Sequence, residues 1–223
     1  MHYKDMDFYG TVIESKEYNV IQRYFHKNDC LSPKIIGHMT YLCRQSKANS
    51  YNEWIQYYGN TEYAKNIDIS ILLMQETLTK NKLYYSDEVV GNCIKAFIFY
   101  QTWRGVEKEK EITKRLTDEK YYCLYPYSDI DLYYNVDIVL ISKKLNRWVA
   151  GIQVKPSSYI EDQAARERIS KFQKRFRIPV LYIRYDRYDE GRQLYSMGRN
   201  RFIELAKKAY SRYKVCGVVL GGI

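Results

Sequence analysis

"VDIVLISKKLNRWVAGIQVKPSS", Val136 to Ser158, decides the fold. Two apolar, β-branched runs flank the polar stretch Lys143 to Asn146, the pattern of an antiparallel hairpin. Strand side chains alternate between faces. Gln153 and Lys155 therefore share one face of the second strand with Gly151, and Trp148, Ala150, Ile152 and Val154 take the other. Asp137 comes early in the first strand, so it lies near the open end of the hairpin, where Gln153 and Lys155 sit. The register decides whether the three meet. A simple four-residue loop between Ser142 and Arg147 sets Asp137 opposite Ile152 and turns it away from Gln153. A one-residue shift, from another loop length or a bulge, sets it opposite Gly151 or Gln153. A functional reading of the three residues requires that shift.

Outward from the hairpin, the chain reads as two parts. Residues 1–102 are mainly helical. Ser50 and Glu53 open "SYNEWIQYYGN" as N-cap and N3 residues, and Gly59 stops it. Ile67, Ile71, Met74 and Leu78 form a helical stripe, and Ser86 caps "SDEVVGNCIKAFIFYQTW". Residues 103–223 alternate helix and strand. Gly105 to Leu116 is a helix with Val106, Glu109, Ile112, Thr113 and Leu116 on one face. "KYYCLYPY" and "YYNVDIVLIS" are strands, followed by "RWVAGIQVKP". Glu161 to Phe176 is an amphipathic helix with Ala165, Ile169, Phe172 and Phe176 inward. "IPVLYIRYD" is a fourth strand, and a helix near Asn200 to Tyr213 and the strand "VCGVVLGGI" complete the pattern. The expected class is α/β (α+β): a mixed central sheet flanked by helices, with an N-terminal helical lobe that contacts the substrate.

The polar residues at the hairpin's open end have a chemistry. A hard divalent ion takes oxygen ligands, and Mg²⁺ keeps several waters beside one or two carboxylates. Asp137 offers a carboxylate, Gln153 an amide oxygen and Val154 its backbone carbonyl. Glu109, on the apolar face of its helix, can add negative charge, where an unpaired carboxylate would be costly. Lys155 is not a simple general base. Its reference pKa of about 10.4 would have to fall by ~3 units, about 4 kcal/mol, to reach neutrality. Its expected role is to orient water and stabilise charge that develops on a phosphate. The competing reading is plainer: three polar residues on a half-exposed sheet, and a salt bridge for Glu109.

The formal charge of +10 favours a polyanionic partner, nucleic acid before an anionic membrane surface. The five cysteines are scattered and form no Cys-x-x-Cys, which argues against a disulfide framework or zinc site. The opening "MHYKDMDFYG" is charged, unlike a signal peptide, and no apolar run reaches membrane-spanning length. These features give a cytoplasmic expectation. The 25 tyrosines supply apolar bodies with hydroxyls suited to phosphate, although codon bias produces the same excess.

With Asp137 in "NVDIVLIS", Gln153 and Lys155 in "GIQVKP", and Glu109 in "GVEKEKEITKRL", the sequence resembles the PD-(D/E)xK nuclease superfamily over Trp103 to Asp186. "VDIVL", "GIQVKPSSY" and "ANSYNEWIQYYGN" resemble type II restriction endonucleases of the MjaI kind. The resemblance implies a restriction-endonuclease-like core and Mg²⁺-dependent cleavage of double-stranded DNA at a short site, with Mn²⁺ able to substitute, by a homodimer. It implies a site of Asp137, Gln153, Lys155 and Glu109. Gln153 departs from the family's usual Glu or Asp, which weakens the second ligand. Candidate DNA contacts are Arg44 and Lys47, Arg166 and Arg168, and the Arg184, Arg187, Arg192 and Arg199 series. Two other readings stay open: a structure-specific or repair nuclease, and a catalytically silent nucleic-acid-binding protein.

Overall fold

The computed structural model describes residues 3–25, 27–117, 121–124, 128–156 and 163–185. The chain divides into two compact units, and the division falls between Val106 and Glu107.

The first unit is helical: α1 (Tyr3–Glu14), α2 (Lys16–Ile21), α3 (Pro33–Ile36), α4 (Met39–Gln45), α5 (Tyr51–Gly59), α6 (Ile67–Lys80) and α7 (Asp87–Lys95). Polar caps start two of these helices as the sequence predicts. The Ser50 hydroxyl accepts from the Glu53 N–H at 3.3 Å, and the Glu53 carboxylate accepts from the Asn49 N–H at 2.9 Å. The Ser86 hydroxyl accepts from the Val89 N–H at 3.3 Å. Helix α7 does not stop at its last α turn. It runs through a π segment, Ala96–Gln101, into α8 (Thr102–Leu116), so the break expected before Gly105 is absent. The core is aromatic. Trp54 is fully buried among Tyr57, Tyr58 and Phe99, and its indole N–H donates to the Phe99 carbonyl at 3.2 Å. Tyr58 sits against Phe99 edge-on and donates to the Ile36 carbonyl at 3.3 Å.

The second unit holds the remainder of α8, then β1 (Tyr121–Leu124), α9 (Ser128–Tyr134), β2 (Ile138–Ser142), β3 (Arg147–Pro156), α10 (Gln163–Phe176) and β4 (Val180–Tyr185). The strands form one sheet in the order β1-β2-β3-β4, antiparallel at the first two junctions and parallel at the third. The class is α+β with a mixed sheet, as expected. One face packs Ile138, Leu140, Ala150, Ile152, Val154 and Ile183 against Ile112 and Leu116 of α8. The other packs Val139 and Ile141 against Phe172 and Ile178, with Trp148, Phe176 and Tyr134 around them.

Two local readings are corrected. Tyr133 and Tyr134 do not begin a strand; they close α9, and β2 starts only at Ile138. Trp148 does not share a face with Ala150 and Ile152. It stacks on Phe172, with ring centroids 6.3 Å apart, beneath α10. The cause is a β-bulge: Leu140 pairs with Ala150 but Ile141 pairs with Trp148, which leaves Val149 as the extra residue. The helix and strand expected after Asn200 lie outside the described residues.

Candidate active site at the open end of the hairpin

The bulge supplies the register shift that the sequence reading required. The loop does span the four residues between Ser142 and Arg147, which pair with one another. Beyond Val149 the register moves by one, so Ile138 pairs with Ile152, and Asp137 follows toward Gln153. The turn into this position is set locally. Asn135 adopts φ of 56° and donates to the Asp131 carbonyl at 2.8 Å, ending α9 in a left-handed cap. The chain then enters β2, and the Asp137 N–H donates to the Ile152 carbonyl at 2.9 Å.

Asp137 is only 4% exposed. Its Oδ2 accepts from the Val154 N–H at 2.7 Å and from Lys155 Nζ at 3.2 Å, and Oδ1 faces Lys155 Nζ at 3.4 Å. A carboxylate held by a backbone N–H and an ammonium is fixed in orientation. Lys155 is held charged in turn. Burial pushes its ammonium down, but Asp137, Asp131 and Glu109 together raise its pKa above the ordinary lysine value. This fits the expectation that Lys155 acts as a cation and not as a base.

Gln153 is the unusual residue. It is fully buried, yet among the described residues neither its amide oxygen nor its amide nitrogen has a hydrogen-bond partner. Buried polar atoms are almost always paired, and the Gln153 carboxamide keeps an oxygen with the chemistry of a neutral ligand. Glu109 is 6% exposed on α8 and close enough to Lys155 to favour its charged form. Among the described residues, no three His, Cys, Asp or Glu side chains gather closely enough to hold a metal ion. The donor set is instead mixed, with a carboxylate and an amide at its centre.

The model of the MjaI restriction endonuclease family matches residues 19–195. The chain belongs to the MjaI restriction endonuclease family. The matched span covers far more than half of the chain and includes Glu109, Asp137, Gln153 and Lys155. A family of unknown function also matches residues 183–220. No curated protein matches the chain. No solved structure matches it.

In this MjaI-family chain the predicted DNA-contact residues fall on several different elements. Arg44 is half-buried in α4, and Lys47 is exposed just after it, with φ of 51°. Arg166 is exposed on α10, whereas Arg168 is half-buried, with a guanidinium Nε lacking a partner. Arg184 pairs with Lys155 in the parallel ladder. Arg187, Arg192 and Arg199 lie outside the described residues. Among the described residues, no helix is long and apolar enough to cross a membrane.

Sequence reasoning missed Asp131. It sits on α9, half-buried, and helps hold Lys155 charged. The signal was there: Ser128 and Asp129 open "SDIDLYYN" like a helix start, with Ile130 and Tyr134 spaced for one face. The following tyrosines, good strand residues, hid it.

Proposed function

We propose that this chain is a type II restriction endonuclease that hydrolyses phosphodiester bonds in double-stranded DNA at a short specific sequence. It acts with Mg²⁺, for which Mn²⁺ can substitute, and works as a homodimer in the cytoplasm. The single observation that carries the reading is the Asp137–Lys155 pair beside the unpartnered Gln153 amide, in a chain of the MjaI family.

The residues fit a hard cation through oxygen. Asp137 would hold it with the Gln153 amide oxygen, the Val154 carbonyl and Glu109, and Mg²⁺ sites with few carboxylates leave places for water and phosphate. When bound, the ion supplies Lewis-acid stabilisation of the phosphoryl charge and a more acidic water. The chain does the remainder. The Val154 N–H fixes the Asp137 carboxylate. Lys155, kept protonated by its carboxylate neighbours, orients the attacking water and stabilises the negative charge that grows on the phosphate. Its proton stays in place through the step.

A second reading has its own support. The Asp137 carboxylate is already engaged by Val154 and Lys155, and Gln153 brings no charge, a pattern that suits a silent DNA-binding protein. Plasmid digestion with Mg²⁺ separates the two. Discrete bands are expected; binding without cutting would favour the silent protein, and a smear or junction-only cutting would favour a repair nuclease. Asp137→Ala is expected to reduce cleavage to background while circular dichroism shows the fold intact. Cleavage at the normal rate by that variant would overturn the site.

A further inference from the structure

The exposed side of α10 carries Lys171, Lys174 and Arg175, spaced to share one face of the helix. With Tyr134 of α9 they line one open pocket of about 460 Å³. None of the three cations forms an ion pair with a described residue. The opposite side of the helix is anchored by buried Ala165, Ile169 and Phe172. Arg175 lies over the Phe176 ring, 5.7 Å from its centroid, which limits the positions of its guanidinium. Cations in the last turn are favoured by the helix C-terminus alone. That accounts for Lys174 and Arg175, but Lys171 lies before the last turn, and the dipole does not explain a concave group with a tyrosine.

We propose that this pocket is a contact surface for the sugar–phosphate backbone of duplex DNA, separate from the cutting site. The inference rests on DNA being the substrate. Its position suits that role. A Cβ at Gly151 would meet the Phe172 ring at 2.9 Å, so the Phe172 level of α10 lies over Gly151. Gly151 is on the same strand as Lys155, a separation of about 13 Å at ~3.3 Å per residue. The cations sit on the other side of α10 from Phe172, so this length is only the part of their separation from Lys155 that runs along the strand. Lysines and an arginine on one helix face meet phosphates without reading bases, so the contact positions the duplex and adds no sequence preference.

The test is duplex binding by fluorescence anisotropy in EDTA, where no cutting occurs, over a series of salt concentrations. Three lost phosphate contacts, at ~0.9 each, should shrink the slope of log affinity against log salt by about 2.7 in K171A/K174A/R175A. The charge-preserving K171R/K174R/R175K should keep the wild-type slope, and circular dichroism should match for all three proteins. An unchanged slope in the alanine variant overturns the inference. So does an equal loss in K143A/K144A, which removes exposed charge at the hairpin turn. Inorganic phosphate that displaces the duplex from the wild type at matched ionic strength would mark a small-anion pocket and overturn it too. A wild type that cuts plasmid DNA, with a slope indifferent to the triple substitution, sinks this inference alone. A wild type that binds with the expected slope but never cuts sinks the endonuclease reading alone.

Discussion

The helical unit and the sheet unit bury their polar groups differently. In the helical unit, the fully buried residues Trp54 and Tyr58 tie their polar atoms to backbone carbonyls, and Tyr18 donates to the Gln101 side chain. Its buried polar residues are hydroxyl-bearing, Ser70 and Thr77. In the sheet unit, the buried polar residues include two carboxylates, Asp137 and Glu109, and a wholly unpartnered amide, Gln153. A neutral hydroxyl costs less to bury than a carboxylate, which must be paired or ligated. The buried charged residues thus gather in the second unit, at the candidate site.

Substitutions can break that contrast. Trp54→Ala removes a fully buried aromatic and should destabilise the chain by about 3–5 kcal/mol, measured by urea denaturation. DNA cleavage per folded molecule should hold, and a loss of cleavage in the folded fraction would show that the helical unit takes part in chemistry. Gly151→Ala forces a methyl group to within 2.9 Å of the Phe172 ring and 3.1 Å of Val136. Overpacking of this kind costs ~1–3 kcal/mol. Since Gly151 is two residues from Gln153 on the same strand, cleavage should fall with stability, unlike in Trp54→Ala. Ser50→Ala removes the α5 cap for about 1 kcal/mol and should leave cleavage untouched.

The smallest effects are pH slopes, and they separate the units by window. Burial pushes the Cys93 thiol of α7 up to about 12. A raised folded pKa means that its contribution to stability is complete below the unfolded thiol pKa, about 8.5, and is lost as pH rises from there. Lys155 is also raised, so its contribution is complete below about 10.4 and is lost only above. Between those values Cys93→Ala should flatten the stability profile and Lys155→Met should not. The reverse result in thermal denaturation would contradict the assignment of the two groups.

Much of this architecture was legible in the sequence because its signals are local. Ser50 and Ser86 announce their helices by capping, and the Lys143–Asn146 turn announces the hairpin. The π segment at Ala96–Gln101 was not legible, since an extra residue in a helix leaves no mark on a run of apolar side chains. The bulge was foreseen as a condition but could not be located. "RWVA" places Trp148, Val149 and Ala150 in succession, all able to be buried, so alternation gives no phase there. The same ambiguity put Trp148 on the wrong face. Asp137, Gln153 and Lys155 were legible as candidates, while their convergence depended on that one unplaced residue.

Val149 thus acts as a phase key for the letters of the candidate site. Removing it would leave Asp137, Gln153 and Lys155 all in the sequence and in their order, yet would rotate Asp137 to the opposite side of the sheet from its partners. A homologue could lose its activity by a single in-frame codon deletion at a buried apolar residue of the core. Its motif would still scan as intact. For this fold, spelling and spacing have to be inspected together, and the spacing that matters lies inside the strand, between the turn and the motif.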